Sequence, residues 1–105
     1  LNGERILRLP YHWDAEQRFD YDRLIEQITT LIDRPLDGAR IERLKGIFQT
    51  QRGWRLIEIA QGNIHDRHTD HRAGNRLDWI AHGKLTDDAV RTHLEPAAMR
   101  SEPVE

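Results

Sequence analysis

The chain has 105 residues, enough for one domain with a modest core, and its 16 Lys and Arg against 18 Asp and Glu leave a net charge of -2. The basic residues alternate with acids instead of forming a stripe, which excludes an electrostatic nucleic-acid binder, and no apolar run approaches the ~18 residues that a membrane span needs. Cysteine is absent, so disulfides, thiolate zinc sites and thiol nucleophiles are excluded together.

The opening Leu1-Asn2-Gly3 has neither the basic nor the apolar region of a signal peptide. The expectation is a cytoplasmic domain whose chain starts partway through a longer protein. Residues 4–13 come first. Leu7, Leu9, Tyr11 and Trp13 fall on one side of a period-2 pattern, with Arg8 and His12 on the other. This predicts a half-buried strand, in which Pro10 marks an edge position or a break. Residues 14–18 read as polar connection. A helix is predicted next, with Asp20 as N-cap, Phe19 stapling onto Leu24, and Asp22 in the first turn. Leu24, Ile25, Ile28, Leu31 and Ile32 make one apolar stripe. Asp33-Arg34-Pro35 ends the helix, and Asp37-Gly38 turns the chain.

Residues 40–50 carry Ile41, Leu44, Ile47 and Phe48, with Gly46 interrupting strict alternation as a bulge or a close-approach point does. Gln51-Arg52-Gly53 is a hairpin turn into a second strand over residues 54–60, rich in Leu56, Ile57 and Ile59. Gln61-Gly62-Asn63 turns into a more polar strand from Ile64. After the polar residues 69–74, Leu77, Trp79 and Ile80 mark a last strand. Thr86 is the predicted N-cap of a short helix ending near Leu94, with Asp87 and Asp88 in its first turn and Leu85 in reach of Val90. Pro96 stops that helix, so residues 1–94 are expected to form the domain and 95–105 a disordered tail. The order β-α-β-β-β-β-α predicts an α+β fold of two layers, with helices on one face of a mostly antiparallel sheet of four to five strands.

Arg43 and Lys45 share one face of their strand with Ile41 and Ile47, opposite Leu44 and Phe48. That face is either a contact surface or a solvated one whose cations pair with Glu58 or Asp78 on neighbouring strands. Arg76 either bridges to an acidic partner or pairs internally. Trp13, Trp54 and Trp79 supply the bulk of a small core or, alternatively, a binding platform. Of the six histidines, His65, His68 and His71 fall close together and invite a metal reading, since neutral imidazole is a common ligand of zinc, copper and nickel. Extended geometry opposes it: residues three apart on a strand point to opposite faces, and residues six apart are separated by ~20 Å. Only a helical turn or a folded loop brings two of these rings together. Otherwise the segment, with Asp66, Arg67, Asp70 and Arg72 between them, is simply solvated. No Gly-x-Ser-x-Gly, His-Glu-x-x-His or nucleophile–base arrangement occurs, and no catalytic residue is assigned.

Two stretches carry a family pattern. Arg43-Leu44-Lys45-Gly46-Ile47-Phe48 resembles the Arg-hydrophobic-Lys-Gly-hydrophobic signature of the C-terminal domain of CobW-type GTP-dependent metallochaperones. Asn75-Arg76-Leu77-Asp78-Trp79-Ile80 is similar to that domain's Ser-Arg-Leu-Glu-hydrophobic-Ile strand, with Asn75 in place of the usual Ser. Trp54 stands where the family commonly has a tryptophan after a Gly-containing hairpin, and the helix preceded by Phe19-Asp20 fits the family's layout. The resemblance covers residues 6–80.

The resemblance implies a non-catalytic accessory domain, in which Arg43, Lys45, Gly46 and Arg76 are family-motif positions on an interaction surface. The implied parent carries an N-terminal P-loop GTPase domain and handles metal in cobalamin assembly, zinc supply or metalloenzyme activation. GTP, Mg and a transition metal such as Zn or Co would be cofactors of that parent, with none held by this stretch. The implied partners are the GTPase domain and a metalloprotein client. The chain itself has no phosphate-cradling motif. Lys45-Gly46 is in the wrong order, and Gly83-Lys84 is followed by Leu85 with Asp78 where the first glycine belongs. A stand-alone interaction module and a small His-based metal-binding domain are the alternatives.

Overall fold

A computed structural model describes residues 5–7, 11–14, 16–34, 38–70, 74–83 and 86–99. In chain order the elements are β1 (Arg5–Leu7), β2 (Tyr11–His12), β3 (Arg18–Phe19), α1 (Tyr21–Asp33), β4 (Arg40–Thr50), β5 (Gly53–Ala60), β6 (Asn63–His68), β7 (Arg76–His82), α2 (Asp87–Leu94), a 3-10 turn (Glu95–Ala97) and β8 (Ala98–Met99). The fold is α+β in two layers, as the element order predicted. No helix among the described residues is long and apolar enough to cross a membrane.

The long strand β4 is the axis of the sheet. One edge pairs with β5 and the other with β7, both antiparallel. β6 pairs on the outer side of β5, while β1 and β2 line the outer side of β7 in succession. At the far end of β4, β3 pairs parallel through Phe19 and Thr50, and β8 adds antiparallel to β3. The turn between β5 and β6 has Gln61 at φ 52° and Gly62 at φ 76°. Two successive positive φ values suit the right-handed twist of a two-residue hairpin.

Local chemistry explains the helices. Asp20 caps α1 by accepting from the Arg23 N–H at 3.0 Å. Gln51, in the turn after β4, completes the cap from outside the helix. Its side-chain oxygen accepts from the Tyr21 N–H at 2.9 Å and its amide donates to Asp20 at 3.0 Å. Thr86 caps α2 by accepting from the Ala89 N–H at 3.1 Å. The Leu85 staple lies outside the described residues.

One core forms between the helices and one face of the sheet. Leu24, Ile28 and Leu31 of α1 and Val90 and Leu94 of α2 meet Leu44, Phe48, Ile57, Ile59, Leu77, Trp79 and Ala81 from the strands. Trp13, Phe19 and Phe48 close one end as an aromatic trio, with ring centroids 5.2–5.7 Å apart and edge-on or tilted contacts.

Of the strand expected over residues 4–13, β1 and β2 are described, both pairing with β7, and residues 8–10, with the edge or break expected at Pro10, lie outside the described residues. Three expectations change. Phe19 is a strand residue as well as a flank of the helix, because it pairs with both β4 and β8. The register irregularity of β4 falls between Ile41 and Arg43 and not at Gly46, so Ile41 swings to the core face, away from Arg43, Lys45 and Ile47. Glu95 to Met99 do not begin a disordered tail. Ala97 is buried, its C=O accepts from the Asp20 N–H at 2.8 Å, and β8 pairs with β3. Residues 100–105 lie outside the described residues.

Candidate functional site

Among the described residues both α-helices cover the same face of the sheet, which leaves the opposite face without a helix. Strand register assigns its side chains in rows. One row runs Arg67, Leu56, Ile47, Arg76; the next runs His65, Glu58, Lys45, Asp78; a third runs Asn63, Ala60, Arg43, Ile80. In the first row two aliphatic side chains are flanked by arginines. Leu56 is only 7 % exposed although it lies outside the helix-side core. Its cover comes from its neighbours on this face, and a shallow groove is lined by Lys45, Gly46, Ile47, Leu56, Thr69, Arg76 and Asp78. In the second row the charges alternate, so Lys45 stands between Glu58 and Asp78 as the sequence suggested. The ion pairs here are long: Arg67 to Glu58 is 3.9 Å and Arg76 to Asp78 is 3.7 Å. Contacts of this length at a partly exposed surface hold the side chains loosely.

The two signature stretches therefore lie side by side, since Arg43, Lys45 and Ile47 pair directly with Ile80, Asp78 and Arg76. Arg43 and Lys45 are exposed and Arg76 is half-buried. Gly46 plays a different part. It is buried on the helix side, where an added Cβ would sit 2.4 Å from Phe48 Cε2 and 3.1 Å from Leu77 Cδ1. The missing side chain makes room for the Phe48 ring to lie back along its own strand and join Trp13 and Phe19. The close-approach reading of this glycine holds.

The tryptophans separate. Trp79 is in the core, Trp13 packs against its end, and Trp54 is half-buried on the helix-free face opposite Gln49. Trp79 and Trp13 thus supply core bulk while Trp54 stands apart, and the three form no shared platform. The histidines separate too. β6 is a regular strand, with His65 opposite Glu58 and His68 opposite Arg55, so the two imidazoles leave opposite faces of the sheet. His71 lies outside the described residues. Among the described residues, no group of three or more His, Asp or Glu side chains is placed to hold a metal ion.

Two polar clusters escaped sequence reasoning. Asn75, completely buried, accepts from the Gln49 N–H at 2.7 Å and donates to the C=O groups of Gln17 at 2.7 Å and Asp14 at 3.4 Å. One side chain thereby ties β4 and the start of β7 to the loop before β3. The second cluster joins α1 to the outer hairpin. Asp66 accepts from the Tyr21 hydroxyl and, at 3.0 Å, from Arg55 Nε; the Arg55 and Asp66 side chains are only 16 % and 15 % exposed. The Arg52 and Arg55 guanidiniums stand 4.7 and 5.4 Å from the Tyr21 ring centroid. The hydrogen bond to Asp66 and then burial hold the Tyr21 phenol above its ordinary pKa. Only Tyr21 at the first helical position and Asp66 among polar strand residues hinted at it, and neither hint identifies a partner 45 residues away.

Comparison of the chain with protein-family models, with curated proteins and with solved structures finds no match.

Proposed function

We propose that this chain is a non-catalytic accessory domain of a CobW-type GTP-dependent metallochaperone, and that its helix-free sheet face docks on the GTPase domain. A metalloprotein client is the second candidate for that face. The observation that carries the reading is the pairing of β4 with β7. The residues of the signature, 32 positions apart from Arg43 to Asn75, converge in adjacent rows with Arg43, Lys45 and Arg76 on one side and Gly46 fixed beneath. The aliphatic pair Ile47 and Leu56 supplies an apolar centre, and the arginines supply a polar rim, the usual anatomy of a contact surface. The chain brings no nucleotide site of its own, so GTP, Mg and the transported metal belong to the rest of the parent.

The upstream reading frame is the direct test. A Gly-x-x-x-x-Gly-Lys-Ser/Thr motif followed by a Cys-x-Cys-Cys-like metal motif supports the proposal, and a frame without a P-loop overturns it. With the GTPase domain in hand, Arg43→Glu and Lys45→Glu together should weaken its binding to this chain by roughly tenfold or more, since charge reversal at a rim juxtaposes like charges. The isolated chain should give no calorimetric signal with GTP and magnesium.

A further inference from the structure

The β5–β6 hairpin ends the sheet, and among the described residues no strand pairs with the outer side of β6. The phase of the ladder follows from its turn. Ala60 and Asn63 flank the two-residue turn as a hydrogen-bonded pair, and the Thr69 N–H still donates to the Trp54 C=O at 3.1 Å in the same phase. Asn63, His65 and Arg67 therefore spend their backbone groups on β5. Ile64, Asp66 and His68 turn theirs outward.

Among the described residues this edge carries neither a proline nor a bulge. β6 runs six residues, and its pairing with β5 shows no register shift, whereas edges are commonly blunted by prolines, bulges or inward-pointing charges. The one inward charge, Asp66, is held by Arg55 and Tyr21. The side chains left exposed along the strand are Asn63, His65, Arg67 and His68, with no acid among them. The helix-free side of the edge is lined by Leu56, Glu58, His65 and Arg67.

We infer that β6 is a docking edge for an extended acidic segment of a partner protein, which adds to the sheet as a further antiparallel strand. The outward N–H and C=O groups of Ile64, Asp66 and His68 give binding that any extended backbone can use. His65 and Arg67, on the helix-free face, select acidic residues at alternate positions of the incoming strand. Ile64, on the other face, accepts an apolar residue beside it. Charge argues against a second copy as occupant. In the two-fold register that uses all three outward sets, Asp66 would face its own counterpart and His65 would face Arg67, with no acid between them. The inference rests on β6 alone and holds whatever the parent protein.

Amide hydrogen exchange read by NMR on the intact chain tests it. The probes are a capped peptide Thr-Glu-Val-Glu-Val-Glu-Thr and its counterpart with lysine in place of glutamate. The acidic peptide should slow exchange at Ile64, Asp66 and His68 by about tenfold or more, and the lysine peptide should not. His68→Pro removes one outward donor without touching the β5 ladder, and Arg67→Glu reverses the selecting charge; each should weaken binding about tenfold. Should His68→Pro lower the thermal midpoint, Arg67→Glu decides alone. Unchanged exchange at the three amides, equal protection by the lysine peptide, or protection set by protein concentration without peptide would each overturn the proposal.

Discussion

A single hydrogen atom in place of a side chain organises one end of the core. Gly46 has a Phe48 ring where its Cβ would be, 2.4 Å from Cε2 and 2.8 Å from Cζ. Alanine there forces the ring out of contact with Trp13 and Phe19, so Gly46→Ala should destabilise the fold by about 1–3 kcal/mol, the range for overpacking a filled core. Urea unfolding measures it, and an unchanged midpoint would show that the ring relaxes freely. Asn75 is the polar counterpart. Its removal strands the Gln49 N–H and the Gln17 C=O in a partly buried setting, and each orphaned group costs up to about 1–3 kcal/mol. Asn75→Ala should therefore be among the most damaging single polar substitutions, at about 2–4 kcal/mol. Asn75→Asp should be no better, because it keeps the acceptor for Gln49 but turns a carboxylate on the Gln17 carbonyl. Retention of wild-type stability in either variant would show that water takes over the side chain's bonds.

At the scale of elements, what was legible in the sequence was what local chemistry decides. Asp20 and Thr86 read as N-caps because a side-chain oxygen two or three residues before the first free N–H groups is a local signal, and both cap as expected. The apolar stripe of α1 and the hairpin turns belong to the same class. The two-residue strands β3 and β8 were not legible. Arg18-Phe19 and Ala98-Met99 have no period of their own, and their pairing exists because Gln17 and the 3-10 turn hold them together: Gln17 donates to the Met99 C=O at 3.0 Å. The bulge between Ile41 and Arg43 was hidden for a similar reason, since Gly46 offered the more conspicuous irregularity. Truncation checks the docked segment. A chain ending at Leu94 loses the buried Ala97, the bond from Asp20 to Ala97 and the β3–β8 pair. Its thermal midpoint should fall by roughly 5 °C or more relative to a chain ending at Met99. Equal midpoints would mean that the segment rests on the fold without supporting it.

The link between α1 and the outer hairpin has a pH signature. The Tyr21 phenol has its pKa raised in the folded chain, first by its hydrogen bond to Asp66 and then by burial. A raised folded value means that the native state holds this proton more tightly than the unfolded chain does. The contribution is therefore complete below the unfolded value of ~10 and is lost as pH climbs through the folded value. Stability of the wild type should fall more steeply above pH ~10 than that of Tyr21→Phe, which lacks the group. At neutral pH the same variant should cost about 1 kcal/mol, because Asp66 keeps Arg55 but loses one donor. Parallel stability profiles for the two proteins in alkali would remove Tyr21 from this role.

Over the whole molecule, the sheet divides the chemistry between two sides, and this division decides how the histidines behave. His65 leaves on the helix-free face beside Glu58, and His68 on the other beside Arg55. A structural zinc site normally gathers four ligands in a tetrahedron. With no cysteine in the chain, every ligand would be an imidazole or a carboxylate, and the strand geometry keeps these two imidazoles from sharing an ion. Reaching a common centre would require β6 to leave the sheet, giving up its ladder with β5 and the Asp66 bonds to Tyr21 and Arg55. Metal binding would thus have to repay a substantial part of the hairpin's own stability. Zinc titration at pH 7 should accordingly reveal no site tighter than about micromolar, where four well-placed ligands would give far more. Thermal stability offers a second reading of the same quantity: a single native-state site at 100 times its dissociation constant adds about 2.7 kcal/mol, and no shift of that size is expected. The comparison that decides it sets the intact chain against a variant carrying His65→Ala, His68→Ala and His71→Ala together. A submicromolar zinc site present in the first and lost in the second would mean that the segment refolds around metal, and the chain would then handle metal in its own right.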